Sequence, residues 1–159
     1  MREEILWVLL ITLKIIMHTK AIIDWPLTPM TGWGSYGIQL AQGLYQAGIS
    51  PLLSRTSERS SQCDLHWLAL LDHLEQQSAL IRKSLELDNE KSIDINSELL
   101  FHPIGNIALE PRFNTLRKIG VIFFESSQFR KSTFEMMQKL DLVVAGSKWN
   151  YDLLKKAGL

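Results

Sequence analysis

The stretch Thr31-Gly32-Trp33-Gly34-Ser35-Tyr36-Gly37 sets three glycines and a tryptophan between a short apolar segment and a helical pattern. Written as Gly32-x-Gly34-x-x-Gly37, it has the spacing with which dinucleotide enzymes bring a helix N-terminus against a pyrophosphate. Three kinds of chemistry compete for it. In a dinucleotide site the first glycine follows the strand almost at once. Here seven residues, Trp25 to Thr31, intervene, Pro26 and Pro29 among them. The next strand is followed by Arg55 rather than ending in an acid, which suits only a 2′-phosphate. A purely structural loop would use the glycines for positive φ and close packing. A sugar diphosphate or a sugar hydroxyl would use the free N–H groups at the helix start, with Trp33 offering an apolar face to a sugar ring.

The elements that must hold this stretch alternate along the chain. Ala21–Asp24 reads as a strand and Ser35–Ala47 as a helix closed by Gly48. Ser50–Ser54 is a second strand, followed by a polar loop. Asp64 caps a helix running to about Leu87, with Leu65, Leu68, Leu71, Leu74, Leu80 and Ile81 on its apolar side. The segment LDNEKSIDINS reads as a polar connection. Glu98–His102 is a strand stopped by Pro103, with a Gly105-Asn106 turn after it. Ile119–Ser126 is almost continuously apolar, as a strand buried on both faces should be. Ser132–Lys139 is helical and Asp141–Ser147 is another buried strand. Ser147 caps a last helix that carries Lys155 and Lys156 in its final turn and Gly158 beyond. This alternation predicts an α/β fold: a Rossmann-like, doubly wound, mostly parallel sheet with helices on both faces. The chain stops on a helix with no strand after it, which reads as a truncated domain.

Composition narrows the function classes. At 159 residues, 46% hydrophobic and 21% charged, the chain fits one globular domain. Lys+Arg and Asp+Glu are both 17, so there is no broad basic field and no nucleic-acid partner is expected. Cys63 is the only cysteine and no Cys/His cluster has metal-ligand spacing, so a reducing cytoplasm is the default. His18, His66 and His73 show no partner pattern. Residues 1–19 hold an apolar run, Ile5 to Met17, broken by Thr12 and Lys14. Its helical length of about 20 Å falls short of the ~30 Å of a bilayer core. A packed N-terminal helix or extension is expected, followed by one domain over residues 20–159. Weak membrane-surface association and a signal-like segment are the alternatives.

DWPLTPMTGWGSYGIQLAQGLYQAGISPLL, residues 24–53, resembles the opening strand, glycine loop and first helix of glycosyltransferases with two facing Rossmann-like domains, the GT-B fold, and among them the family 4 (group 1) branch. GVIFFESSQF and LDLVVAGSKWNYDLLKKAGL resemble a later stretch of the same domain, in the right order. The resemblance covers roughly Lys20 to Leu159. It implies transfer of a hexosyl group from a nucleotide-sugar to an acceptor hydroxyl, retaining and metal-independent, with the nucleotide-sugar a co-substrate and no further cofactor. It implies that Gly32, Trp33, Gly34 and Ser35 face the donor's phosphates and sugar. His102, at a strand end, inherits a catalytic or sugar-lining role, against the alternative of a His satisfied by backbone. Glu125 and Asn106 inherit acceptor-side contacts, against a structural hydrogen bond or cap. Asp24 is either a site residue or a brace for the loop, and Ser147 is first a helix cap. The family's donor-binding C-terminal domain is absent from these residues, so the 159-residue chain alone is expected to be inactive or nearly so. A dinucleotide-binding oxidoreductase fragment and a non-catalytic α/β binding module remain the alternatives.

Overall fold

Each short apolar run becomes a strand of one parallel sheet. The computed structural model describes residues 19–59, 64–87, 93–95, 97–107 and 109–159, so the apolar run Ile5–Met17 lies outside it. The strands in chain order are β1 (Lys20–Ile23), β2 (Ser50–Leu53), β3 (Ile93–Asp94), β4 (Leu99–Ile104), β5 (Phe113–Asn114), β6 (Arg117–Ile122) and β7 (Leu142–Ala145). The helices are α1 (Gly32–Gln46), α2 (Leu65–Leu87), α3 (Lys131–Met137) and α4 (Lys148–Ala157). Five strands pair in the order β2-β1-β4-β6-β7, every neighbour parallel. Counted within that sheet the order is 2-1-3-4-5, so the winding reverses between β1 and β4. The expected doubly wound α/β fold is what forms.

Alternation along the strands splits the core between two faces. On one face Ala21, Ile23, Leu53 and Val121 pack against Ala41 and Leu44 of α1 and Trp67, Leu71 and Leu74 of α2. On the other, Ile22, Leu52 and Leu100 meet Ile81 and Phe113. Farther along that face Ile104 and Ile122 meet Met136 and Met137 of α3 and Leu154 of α4. Phe113 belongs to β5, which pairs with β3 in a separate two-stranded sheet. The polar reading of residues 87–97 misses this small sheet, because two-residue strands carry no periodicity.

The edge strand β2 is closed by α2. The Leu53 N–H donates to Ser78 Oγ at 2.7 Å, and Ser78 in turn donates to the Leu74 carbonyl at 2.6 Å. Ser78 is fully buried. Ser78→Ala leaves a buried N–H with no partner, and should lower unfolding free energy by about 1–3 kcal/mol in urea denaturation. A change indistinguishable from zero would mean that the edge is not held through this hydroxyl. At the start of the other edge, Asp141 accepts from the Lys118 N–H at 2.8 Å and from Arg117 at 2.9 Å. That N–H first, and Arg117 second, hold its carboxyl below the ordinary carboxylate range.

Strand boundaries differ from expectation by a residue or more throughout, and the differences at the ends of β4 and β6 bear on the site. Pro103 does not stop β4, which runs on to Ile104. The Asp24 N–H donates to the Phe101 carbonyl and the Phe123 N–H to the Ile104 carbonyl, so odd residues of β4 bond towards β1 and even ones towards β6. The donor that proline lacks would therefore point past the end of β1, where no ladder bond is waiting. The β6 run ends at Ile122 rather than Ser126. The caps expected at Ser147 and Asp64 and the terminal glycines Gly48 and Gly158 behave as the sequence indicates. Ser147 Oγ accepts from the Asn150 N–H at 3.1 Å, and Asp64 accepts from the His66 N–H at 2.8 Å. Gly48 and Gly158 take positive φ of 78° and 90° behind α1 and α4. No described helix is long and apolar enough to cross a membrane.

Candidate functional site

The three glycines turn out to lie inside α1. Thr31 is the N-cap, its hydroxyl accepting from the Gly34 N–H at 3.0 Å, and the helix begins at Gly32, three residues before the expected Ser35. None of the three has positive φ, which removes the conformational argument for a glycine loop. Close packing explains two of them. A Cβ on Gly34 would run into the Thr28 backbone, and one on Gly37 into the Trp25 indole and Leu27. The Trp25–Thr31 connection folds back beneath the helix, with Trp25, Leu27 and Thr28 buried. The Trp25 indole N–H then donates to the Trp33 carbonyl at 3.1 Å. Gly32 is different: a Cβ there meets nothing within 4 Å.

The start of α1 opens onto a pocket of about 480 Å³ beyond the carboxyl ends of β1 and β4, where the strand order reverses. This is the position at which doubly wound sheets bind ligands, and the volume suits a small molecule. Trp25, Thr31 and Trp33 form one wall and Arg55, just after β2, another. His102 and Pro103 of β4 form the floor, and Leu109, Arg112 and Phe113 close the far side. Trp33 is half-buried, with its ring 4.3 Å from Phe123, so only part of the indole is available to a ligand.

A polar row crosses three neighbouring strands at this floor. Asp24, just past β1, accepts from Ser54 Oγ at 2.7 Å on one oxygen and meets His102 Nδ1 at 2.9 Å on the other. His102 Nε2 lies 2.9 Å from the Leu109 carbonyl. His102 is 4% exposed, so neither nitrogen relies on solvent. Each ring nitrogen thus has a polar partner within the protein, the Asp24 carboxylate at one end and the Leu109 carbonyl at the other. His102 therefore ties the backbone at Leu109 to the sheet. Asp24 braces this arrangement and lines the pocket at the same time.

The remaining sequence candidates do not all converge here. Ser35 donates to the Pro29 carbonyl at 3.4 Å, within the loop that packs under α1. Asn106 braces the chain after β6: its Nδ2 donates to the Ser126 and Gln128 carbonyls, and its Oδ1 accepts from the Glu125 N–H. Glu125 is exposed, and neither it nor Asn106 lines the pocket. Trp33 and His102 are brought together; Glu125 and Asn106 sit apart from them. Sequence reasoning missed Ser54 and the Leu109–Phe113 wall. A lone Phe113 amid polar residues gave no pattern to follow, and Leu109 joins the polar row through its backbone carbonyl.

The charges in the pocket wall are unevenly matched. Asp24 is satisfied by Ser54 and His102, and Glu110 pairs with Lys139 at 2.9 Å. Arg55 makes no hydrogen bond or ion pair with the described residues. Among the described residues, no group of three or more His, Cys, Asp or Glu is arranged to hold a metal ion. No protein-family model, curated protein or solved structure matches the chain.

Proposed function

We propose that this chain is the acceptor-side half of a GT-B-type glycosyltransferase, which moves a hexosyl group from a nucleotide-sugar to an acceptor hydroxyl. The observation that supports it is the meeting of the α1 N-terminus, Trp33 and His102 around one pocket at the point of strand reversal. In this proposal the acceptor occupies the pocket. The donor's diphosphate approaches the open side of Gly32, where the first N–H groups of α1 stabilise charge growing on the leaving group. Retention of configuration and independence of a metal follow the resemblance.

His102 acts in this scheme by position. With both ring nitrogens engaged, it holds Asp24 and the Leu109 segment in place around the acceptor. Transfer requires a donor-binding unit across the cleft, so residues 1–159 by themselves are expected to bind substrates weakly and not to turn over. The dinucleotide alternative is disfavoured by Gly34, whose open side is filled by Thr28 rather than left for a pyrophosphate.

Equilibrium binding of a nucleoside-diphosphate hexose and of NADP to residues 1–159 tests the choice, together with a transfer assay. The expected outcome is a dissociation constant in roughly the millimolar range for the sugar nucleotide, no tighter binding of NADP, and no sugar transfer. Micromolar binding of NADP would replace this proposal with the dinucleotide one.

A further inference from the structure

We infer that the pocket takes an anionic amphiphile, an apolar body with one negatively charged head, rather than a free sugar. This rests on the proposal above that the pocket is the acceptor site, and it names the class of acceptor: an anionic amphiphile that also carries the hydroxyl to be glycosylated.

The apolar part follows from the lining. The pocket surface is mostly apolar, and Trp25, Trp33, Pro103, Ile107, Leu109 and Phe113 are among the residues lining it. Trp25 has already spent its indole N–H on the Trp33 carbonyl. Ile107 and Leu109 are 60% and 77% exposed, although both line the pocket, so the apolar surface continues out to its mouth. A hexose buried here would lose water from several hydroxyls. Asp24 and His102 are already engaged with each other, Ser54 and the Leu109 carbonyl, and have little left to offer it. Unpaired hydroxyls are expensive to bury. An alkyl or isoprenoid body has no such requirement and gains from leaving water.

The negative head follows from the charges. Both carboxylates in the wall have partners within the protein, Asp24 with His102 and Ser54, and Glu110 with Lys139. Arg55, in the same lining, has no partner among the described residues. The N-terminus of α1, through Thr31 and Trp33, adds the positive end of a helix dipole to the same wall. A phosphate or carboxylate head meets Arg55 in a charge-assisted hydrogen bond while its body lies along Leu109 and Phe113.

The test is an amide-shift titration of residues 1–159 with octyl phosphate, octyl β-glucoside and inorganic phosphate, all below micelle-forming concentrations. Octyl phosphate should bind about tenfold more tightly than either of the others, shifting Arg55, Leu109 and Phe113. Arg55→Gln should bring it to within about twofold of octyl glucoside, as expected if one charge-assisted bond sets the difference. Leu109→Ser, at an exposed side chain, should weaken both octyl ligands and leave the fold unchanged. Equal affinity for the two octyl ligands overturns the anionic head. Equal affinity for octyl phosphate and inorganic phosphate overturns the apolar body, and shifts confined to other surfaces overturn the site. Tight octyl phosphate binding without any response of Gly32–Ser35 to a sugar nucleotide would sink the sugar-transfer proposal while leaving the amphiphile site standing.

Discussion

Gly34→Ala is expected to destabilise the chain by about 2 kcal/mol, whereas Gly32→Ala, two residues earlier in the same helical turn, should be neutral or slightly stabilising. The opposite signs come from two competing effects. Replacing glycine by alanine within a helix gains up to about 1 kcal/mol from propensity. At Gly34 the new methyl meets the Thr28 backbone, which cannot rotate away as a side chain could. Overpacking of this kind costs about 3 kcal/mol and outweighs the propensity gain. At Gly32 no atom lies within 4 Å of the added carbon, so propensity acts alone. Chemical denaturation of the two variants reads the difference directly. Equal stabilities would mean that the Trp25–Thr31 connection does not pack under α1 as described. Gly32→Ala should instead weaken binding of a sugar nucleotide, since it narrows the open approach to the helix N-terminus.

His102→Ala should have the other large effect, a loss of about 3 kcal/mol in unfolding free energy. The substitution leaves the largely buried Asp24 carboxylate with Ser54 as its remaining side-chain partner among the described residues and releases the Leu109 carbonyl. A double-mutant cycle with Asp24→Asn should return a coupling of about 1–3 kcal/mol, because the two residues share one buried contact. Additive losses would place the stabilising role of His102 in packing alone. A second readout separates positioning from bulk stability. In the His102→Gln variant, which keeps polar atoms at both ends, hydrogen exchange over residues 105–113 should speed up less than in His102→Ala.

The layout of the sheet was legible because its strands are apolar runs separated by helix signals with definite physical causes. Ser147 and Asp64 cap helices since their side-chain oxygens reach free N–H groups, and Gly48 and Gly158 end helices at positive φ. The start of α1 was misjudged for an instructive reason. Glycine is a poor helix former, so Gly32 and Gly34 pushed the expected start to Ser35, although Thr31 stood in an N-cap position. The local propensity was overridden by the close approach of Thr28, Trp25 and Leu27, a tertiary contact with no trace in the glycine spacing itself.

The site was less legible than the fold. Asp24 and His102 are 78 residues apart, and only the order of strands brings them onto one face. The Leu109 carbonyl that completes the row is backbone and has no sequence signature. Asn106 looked available beside a turn, yet the path of the chain after β6 consumes both ends of its amide. Arg55 was visible after the second strand, but without the apolar lining it shares, and its lack of a partner among the described residues, it suggested only a nucleotide 2′-phosphate.

The central claim is that the crevice at the carboxyl ends of β1 and β4 is where this chain meets its substrates. Amide chemical-shift mapping with a nucleoside-diphosphate hexose tests it most directly. Perturbations centred on Gly32, Trp33, Asp24 and His102, and diminished by Gly32→Ala, are the predicted result. Perturbations confined to other surfaces, such as the α3 and α4 N-termini around Lys131 and Lys148, would contradict it, as would no response at roughly millimolar ligand.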